Sequence, residues 1–397
     1  MDSSLVECVV VPSKDAEATR RQLDRAGLLS SQHRIMRTDD GAVALPLSAP
    51  SAASTMAAIS AVTAGLKVMA LPMSSAAPQK LGQHVALYDT ALSALESAGL
   101  TREAAAALLP QAAMPQRWEK LGDVVLFAPK GLFDPDSEAG RALSAIPSAA
   151  RGALYSALAR DLRCSRIGVQ GRVRPELNRK SSAELLWPAG ASGWTLHREN
   201  GITFGLDVTR SMFSSGNGTE KARVANRHCE GECVVDLYAG IGYFTLSYLV
   251  HAHAAHVHAC EWDEDALVAL NHNLSANGVA QRCTVYPGDN ALSAPKLEGL
   301  AHRVNLGLIP SSEQGWPLAV RALRLDGGWL HVHANVSQDD EERWSDELLV
   351  RLTKFAREAG RAWVVRLEHL ERVKSYAPRV NHVVADVCCR QEQKIGT

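Results

Sequence analysis

The stretch Cys233-Val-Val-Asp-Leu-Tyr-Ala-Gly-Ile-Gly-Tyr-Phe-Thr245 decides the fold. Its opening CVVD is a short apolar run ending on Asp236, the pattern of a strand buried in a parallel sheet. Gly240 and Gly242 then turn the chain into a helical pattern. Glycine lets backbone approach a ligand where a Cβ would clash. The helix N-terminus behind the turn favours a carboxylate or a phosphate. A dinucleotide site wants G-x-G-x-x-G, but the third position here is Thr245, which weakens an NAD reading. The D-x-x-x-G-x-G form suits the amino-acid end of S-adenosylmethionine (SAM) better.

Working outward, Glu261 closes the next apolar run, HVHACEW, 21 residues after Gly240. An acid there ends the second strand of a nucleotide-binding βαβ unit and accepts both ribose hydroxyls. NAD enzymes share this feature, so alone it separates nothing. Gly288-Asp289-Asn290 follows the third strand, where an acid accepts an exocyclic adenine amine, although G-D-N is also an ordinary turn. Leu308-Ile309-Pro310-Ser311-Ser312-Glu313 follows the fourth. Ligands of open α/β sheets sit outside the strand carboxyl ends, so this loop is expected to face the transferred group. Glu313 and the serines also suit a helix cap.

The texture from about residue 195 onward is strand alternating with helix, the mark of a parallel sheet. Strands are expected near 202–207, 233–237, 256–260, 283–286, 304–309, 328–333, 363–367 and 381–388, and helices near 219–227, 242–252, 264–277, 315–325 and 340–359. Upstream, 5–11 and 43–47 read as strands, 14–27 as a helix, and 118–127 as turn and strand. An Ala/Ser-rich region up to about residue 113 has helical propensity and little specificity.

The 397 residues suggest two domains, and 46% hydrophobic residues supply a substantial core. The net charge of −1 means that any nucleic-acid contact must rest on a local patch. Residues 151–180 offer one, with net charge +6. Within it Arg172, Arg174, Arg179 and Lys180 are candidate phosphate contacts, against the plainer reading of a solvated helix and loop.

None of the eight cysteines forms a CxxC, so no zinc ribbon is expected, and a reducing compartment is the simpler setting. His251, His253, His256 and His258 straddle a helix end and a strand start, and are not expected to converge on a metal. The N-terminus carries acids where a secretory signal needs bases, and the stretch 51–73 is too polar for a membrane span. The expectation is a cytoplasmic monomer that uses no metal, membrane or DNA.

With these residues in hand, the chain resembles the tRNA wybutosine-synthesizing protein 2 group, tRNA(Phe) 3-amino-3-carboxypropyltransferases. The resemblance runs across residues 194–390: DVTRSMFSSGNGTEKARV, VVDLYAGIGYFTL, HACEWDEDALVALNHNL, GDN, RVNLGLIPSSEQGWP and VKSYAPRVNHVVADVCC. QHRIMRTDDGAVALPL and MPQRWEKLGDVVLF look like the family's N-terminal segments, and residues 48–113 match nothing usable. The related tRNA guanine-37 N1-methyltransferases carry Asn-Leu-Pro or Asn-Pro-Pro where this chain has Leu308-Ile309-Pro310.

The resemblance implies a class I SAM-dependent methyltransferase-like domain, a Rossmann-like seven-stranded sheet over 194–397. A smaller α+β N-terminal domain over 1–150 and a basic linker over 151–193 would precede it, helping to hold tRNA. It implies transfer of the 3-amino-3-carboxypropyl group of SAM to C7 of a wybutosine precursor at position 37 in the anticodon loop of tRNA(Phe), with release of methylthioadenosine. The implied donor contacts are Ser214, Lys221, Asp236, Gly240, Gly242, Glu261, Asp289 and Asn290, with Leu308, Ile309, Pro310 and Ser311 facing the acceptor. The rivals are methyl transfer to guanine-37, a SAM-fold protein that binds tRNA without turnover, and an NAD oxidoreductase.

Overall fold

A computed structural model describes residues 5–12, 15–25, 28, 36–37, 42–47, 67–72, 80–171 and 181–391. Arg172, Arg174, Arg179 and Lys180 lie outside these, as does 48–66 of the Ala/Ser-rich region. The chain opens with a small antiparallel sheet of β1 (Leu5–Val11), β2 (Met36–Arg37), β3 (Val43–Pro46) and β4 (Lys67–Pro72), in the order β2-β3-β1-β4. Helices Lys80–Ser97 and Arg102–Leu108 follow, the second capped by Thr101, whose side chain accepts from the Ala104 N–H.

A second sheet holds β5 (Trp118–Leu121), β6 (Val124–Phe127), β7 (Arg166–Val169) and β8 (Glu184–Trp187) in chain order. Its parallel β6–β7 pair is linked through helices Glu138–Ala145 and Ser148–Asp161. The stretch 151–193, expected as a linker, therefore carries part of a helix and two strands. Arg166 fastens it on both sides: it ion-pairs with Asp123 and donates to the Trp194 carbonyl at 2.8 Å. The buried Leu121, Val124 and Leu126 pack in one apolar cluster with Ile202, Phe204 and Val234 of the C-terminal part.

That part begins with an antiparallel hairpin, β9 (Trp194–Glu199) and β10 (Ile202–Asp207). The main sheet then contains β11 (Cys233–Asp236), β12 (His256–Glu261), β13 (Cys283–Pro287), β14 (Arg303–Leu306), β15 (Gly327–Ser337), β16 (Trp363–Ala377) and β17 (Val380–Gln391). Their order is β13-β12-β11-β14-β15-β17-β16. β11 to β15 run parallel and β17 runs antiparallel to both neighbours. This is the seven-stranded SAM-dependent methyltransferase-like sheet. The strand order reverses between β11 and β14, which opens a crevice at their carboxyl ends.

The central strands are apolar because both faces are covered. Helix Glu341–Glu358 shows how: its buried Leu348, Leu352 and Ala356 recur every fourth residue and form one stripe against the sheet. The strand expected at 363–367 continues to Ala377, because β17 pairs with it along most of its length. Its outer residues are largely polar and give no apolar alternation to read.

One row across the sheet is polar where an apolar row is the norm. Register places Asp236 beside Asn305, Asn305 beside His331, and His331 beside Asp386. Their exposures are 0%, 0%, 1% and 4%. Buried charge persists only where it is paired and hydrogen-bonded. Asp386 accepts from Arg223 at 2.5 and 3.2 Å, from Arg227 at 2.8 Å and meets His331 Nδ1 at 2.6 Å. Arg223 also donates to the buried Glu220 at 2.7 and 2.8 Å. These contacts dock helix Gly218–Ala225 onto the sheet.

Burial alone would push the Asp386 carboxyl upward; the His331 hydrogen bond and the two guanidiniums hold it well below the ordinary range. Burial keeps His331 neutral, its pKa pushed down to about 4. Asp386→Ala strips two largely covered guanidiniums of their shared partner. Urea unfolding of this variant at pH 7 is expected to show a loss of about 3 kcal/mol. The contribution of Asp386 is in place above about pH 4 and is lost as acid titrates the carboxylate, so the gap between variant and wild type should close in acid.

Candidate functional site

The loop after β11 is shaped by its own buried acid. Asp236 Oδ2 accepts from the Thr245 hydroxyl at 2.8 Å, and Oδ1 from the Asn305 amide at 3.1 Å. The first turn of helix Tyr243–Val250 is thereby tied to the strand end. Burial raises the Asp236 pKa against these hydrogen bonds. Expected as a ligand contact, Asp236 instead faces fully inward and organises the loop from beneath.

The loop itself requires glycine at two points. Gly240 has φ +57° and Gly242 φ +100°, a region that L side chains rarely adopt. A Cβ on Gly242 would also stand 3.0 Å from Leu270 Cδ1, and one on Gly240 3.1 Å from the Tyr243 ring. The result is a bare backbone floor at the head of a helix.

Glu261 lies against that floor. Oε2 accepts from the Gly240 N–H at 2.6 Å, and Oε1 from the Trp262 and Asp263 N–H groups at 2.9 Å each. Burial raises its pKa while the three N–H bonds oppose the shift. The G-D-N turn closes the side: Gly288 N donates to the Glu261 carbonyl at 2.8 Å, and Asn290 Nδ2 to the Leu237 carbonyl at 2.9 Å. Asp289 is exposed and caps the next turn through the Ala291 N–H at 2.8 Å.

Lys221 approaches from helix Gly218–Ala225. It is 4% exposed, ion-pairs with Glu199 and donates to the Ser214 carbonyl at 3.2 Å. Its ammonium sits 4.6 Å from the Phe213 ring centre and 5.6 Å from that of Tyr243, within cation–π range. Burial lowers its pKa, with Glu199 opposing. Ser214 thus lies beside Lys221. Glu199 gave no signal in the sequence, because it comes from a hairpin with no motif of its own; Phe213 and Tyr243 lie within motif segments, but no spacing marks them as walls around Lys221.

The LIPSSE loop is paired to β15. The Pro310 carbonyl accepts from the Asn335 N–H at 2.8 Å, and Ser311 bridges Ala334. Pro310 and Ser311 are exposed and Leu308 is half-buried, whereas the Ile309 side chain is buried and does not line an open face. The Glu313 side chain meets Arg351 at 2.5 Å, and its backbone N–H donates to the Ser311 hydroxyl at 3.2 Å. Ser312 instead accepts from the Trp316 indole at 3.2 Å.

Two of the four histidines do converge. His256 and His258 share one face of β12, with rings 4.7 Å apart. Their nitrogens face Thr284 and Tyr286 on β13. Among the described residues no three His, Cys, Asp or Glu groups gather as a metal-ligand set. No helix among them is long and apolar enough to cross a membrane.

The floor, Glu261 and the G-D-N turn meet at the carboxyl ends of β11 to β13, the usual place for a ligand of an open α/β sheet. Replacing Glu261 by Ala removes a charged double acceptor, a contact worth about 1.5–3 kcal/mol. Calorimetry with SAM should therefore show a dissociation constant roughly 10- to 100-fold higher. An unchanged constant removes Glu261 from the site.

A family model described as the TRM5/TYW2 methyltransferase domain matches residues 195–363. The tRNA wybutosine-synthesizing protein 2/3/4 of Arabidopsis thaliana is 48% identical over 70% of this chain, which spans only 26% of that longer protein. The tRNA wybutosine-synthesizing protein 2 homolog of Bos taurus is 36% identical, with 98% of each chain covered. Among solved structures, Pyrococcus horikoshii TYW2 in complex with MeSAdo is 27% identical, with a TM-score of 0.58, over 76% of this chain and 98% of the other. The chain belongs to the tRNA wybutosine-synthesizing protein 2 family.

Proposed function

We propose that this chain is a SAM-dependent tRNA transferase that moves the 3-amino-3-carboxypropyl group of SAM to C7 of a tricyclic wybutosine precursor at position 37 of tRNA(Phe). One observation supports the reading: Glu261 and the G-D-N turn meet at the glycine floor, and the Lys221 ammonium stands 5.6 Å from the ring of Tyr243, the residue that follows Gly242. Gly240 and Gly242 offer backbone, Glu261 the ribose acceptors, and Asp289 with Asn290 the adenine edge. Lys221 and Glu199 present one cation and one anion side by side. A zwitterionic amino-acid end has the complementary pair of charges. Holding that end in place fixes which of the three carbons on the sulfonium faces the acceptor, which is control by positioning.

The electron-rich acceptor carbon attacks the sulfur-bound carbon of the aminocarboxypropyl chain. The C–S bond breaks with its electron pair going to sulfur, methylthioadenosine leaves, and the acceptor carbon gives up its proton. The base must leave its stack to react, and the anticodon loop, already single-stranded, lowers that cost. The N-terminal region and the basic stretch grip the RNA. The protein acts as a monomer in the cytoplasm.

Two labelled forms of SAM test the reaction, given with tRNA(Phe) from a strain lacking the endogenous enzyme. Label in the carboxyl carbon should enter tRNA, while methyl label leaves as methylthioadenosine. Methyl label in tRNA would establish the rival guanine-37 methylation. Replacing Arg172, Arg174 and Arg179 by Gln tests the grip. The log–log salt dependence of tRNA binding should flatten by about 2 units if these residues neutralise phosphates. An unchanged slope sinks that assignment.

A further inference from the structure

The polar row described above is not the only one on its face of the sheet. β15 runs Gly-Gly-Trp-Leu-His-Val-His-Ala-Asn-Val-Ser, and its alternation puts His331, His333 and Asn335 on the same side. His331 is used by Asp386. Asn335 is not used: among the described residues neither Oδ1 nor Nδ2 of its amide has a hydrogen-bond partner, and both atoms are shut off from solvent. His333 Nε2 and Asn217 Oδ1 are in the same condition. An unsatisfied buried amide costs about 1–3 kcal/mol, so a folded chain keeps one for a reason.

Their positions share a place. The Asn335 backbone is locked to the LIPSSE loop through the Pro310 carbonyl at 2.8 Å. The His333 ring lies 5.0 Å from that of Phe244, at the head of the helix behind the glycine floor. Register continues the Asn335 row through His382 to Lys374. Against Lys374 packs Gly216, in the segment that leads from Ser214 to Lys221. The Asn335 and His333 groups therefore lie between the LIPSSE loop and the segment that carries Asn217 and Lys221, toward the carboxyl end of β15.

We propose that the Asn335 carboxamide reads the acceptor base. Its Nδ2 donates to a ring carbonyl and its Oδ1 accepts from a ring N–H, the two-point contact by which an amide side chain recognises a heteroaromatic edge. This inference rests on the transferase reading above and adds the residue that selects the base. A site built to hydrogen-bond its substrate also rejects bases that lack the matching edge, because its own polar groups then stay unpaired.

The test uses the full-length wild type, Asn335→Leu and Asn335→Asp. Each is measured for Tm, for SAM binding by calorimetry, and for steady-state transfer to tRNA(Phe) carrying the tricyclic precursor. The Leu variant should keep or raise the Tm, because it removes an unsatisfied amide. It should bind SAM within about twofold of wild type, yet lose roughly 10- to 100-fold in kcat/KM for tRNA, chiefly through KM. The Asp variant keeps the shape, loses both N–H donors and should show the same selective loss, which covers the case of a poorly folding Leu variant. A lower Tm with unchanged acceptor kinetics in both variants makes the amide structural and overturns the proposal. So does a loss of SAM affinity that parallels the loss of activity. A wild type that binds SAM but transfers nothing overturns the transferase reading instead.

Discussion

The constraint on which the site depends is the pairing of Asp386 with Arg223 and Arg227 beneath helix Gly218–Ala225. A carboxylate in the middle of a sheet is tolerated only with such partners. Once they are in place, the helix has one way to lie. Lys221, on the residue between Glu220 and Ala222, is then delivered to Glu199 and the aromatic walls with little freedom left. Glu220, Lys221 and Arg223 belong to the same two turns, and Arg227 follows directly after them. The polar row that looks like a defect in the core is what sets the position of Lys221.

The same logic holds on the other side of the crevice. Asp236 binds Thr245 and Asn305 rather than solvent, and so holds the glycine loop against β14. Glu261 holds it again from β12 through the Gly240 N–H. A loop with two left-handed glycines is floppy in isolation and costly to order. Fixing it from two strands before any ligand arrives moves that cost from binding into folding.

The sequence made the sheet legible because its strands are either flanked by glycine turns or carry a motif at the carboxyl end. Gly240, Glu261 and Asn290 were readable for the same reason: each closes a strand of a βαβ unit at a fixed spacing. What was not readable is contributed across the chain. Glu199 comes from a hairpin ahead of the sheet, and only its folding against helix Gly218–Ala225 makes it a partner of Lys221. The helix and strands of 151–193 were hidden because their arginines read as charge, whereas Arg166 spends its guanidinium on Asp123 and on backbone carbonyls. The inward turn of Asp236 and Ile309 follows from packing, which no spacing rule expresses.

An Asn in place of Leu308 would put a polar group in the loop that follows β14. Here that position is an apolar, half-buried leucine, followed by a buried isoleucine. Beside that loop, and among the described residues, the Asn335 amide on β15 is a polar group without a partner, while its backbone N–H donates to the Pro310 carbonyl. On β15 the alternation of His331, His333 and Asn335 keeps three polar side chains on one face of a buried strand, an order that no loop motif announces.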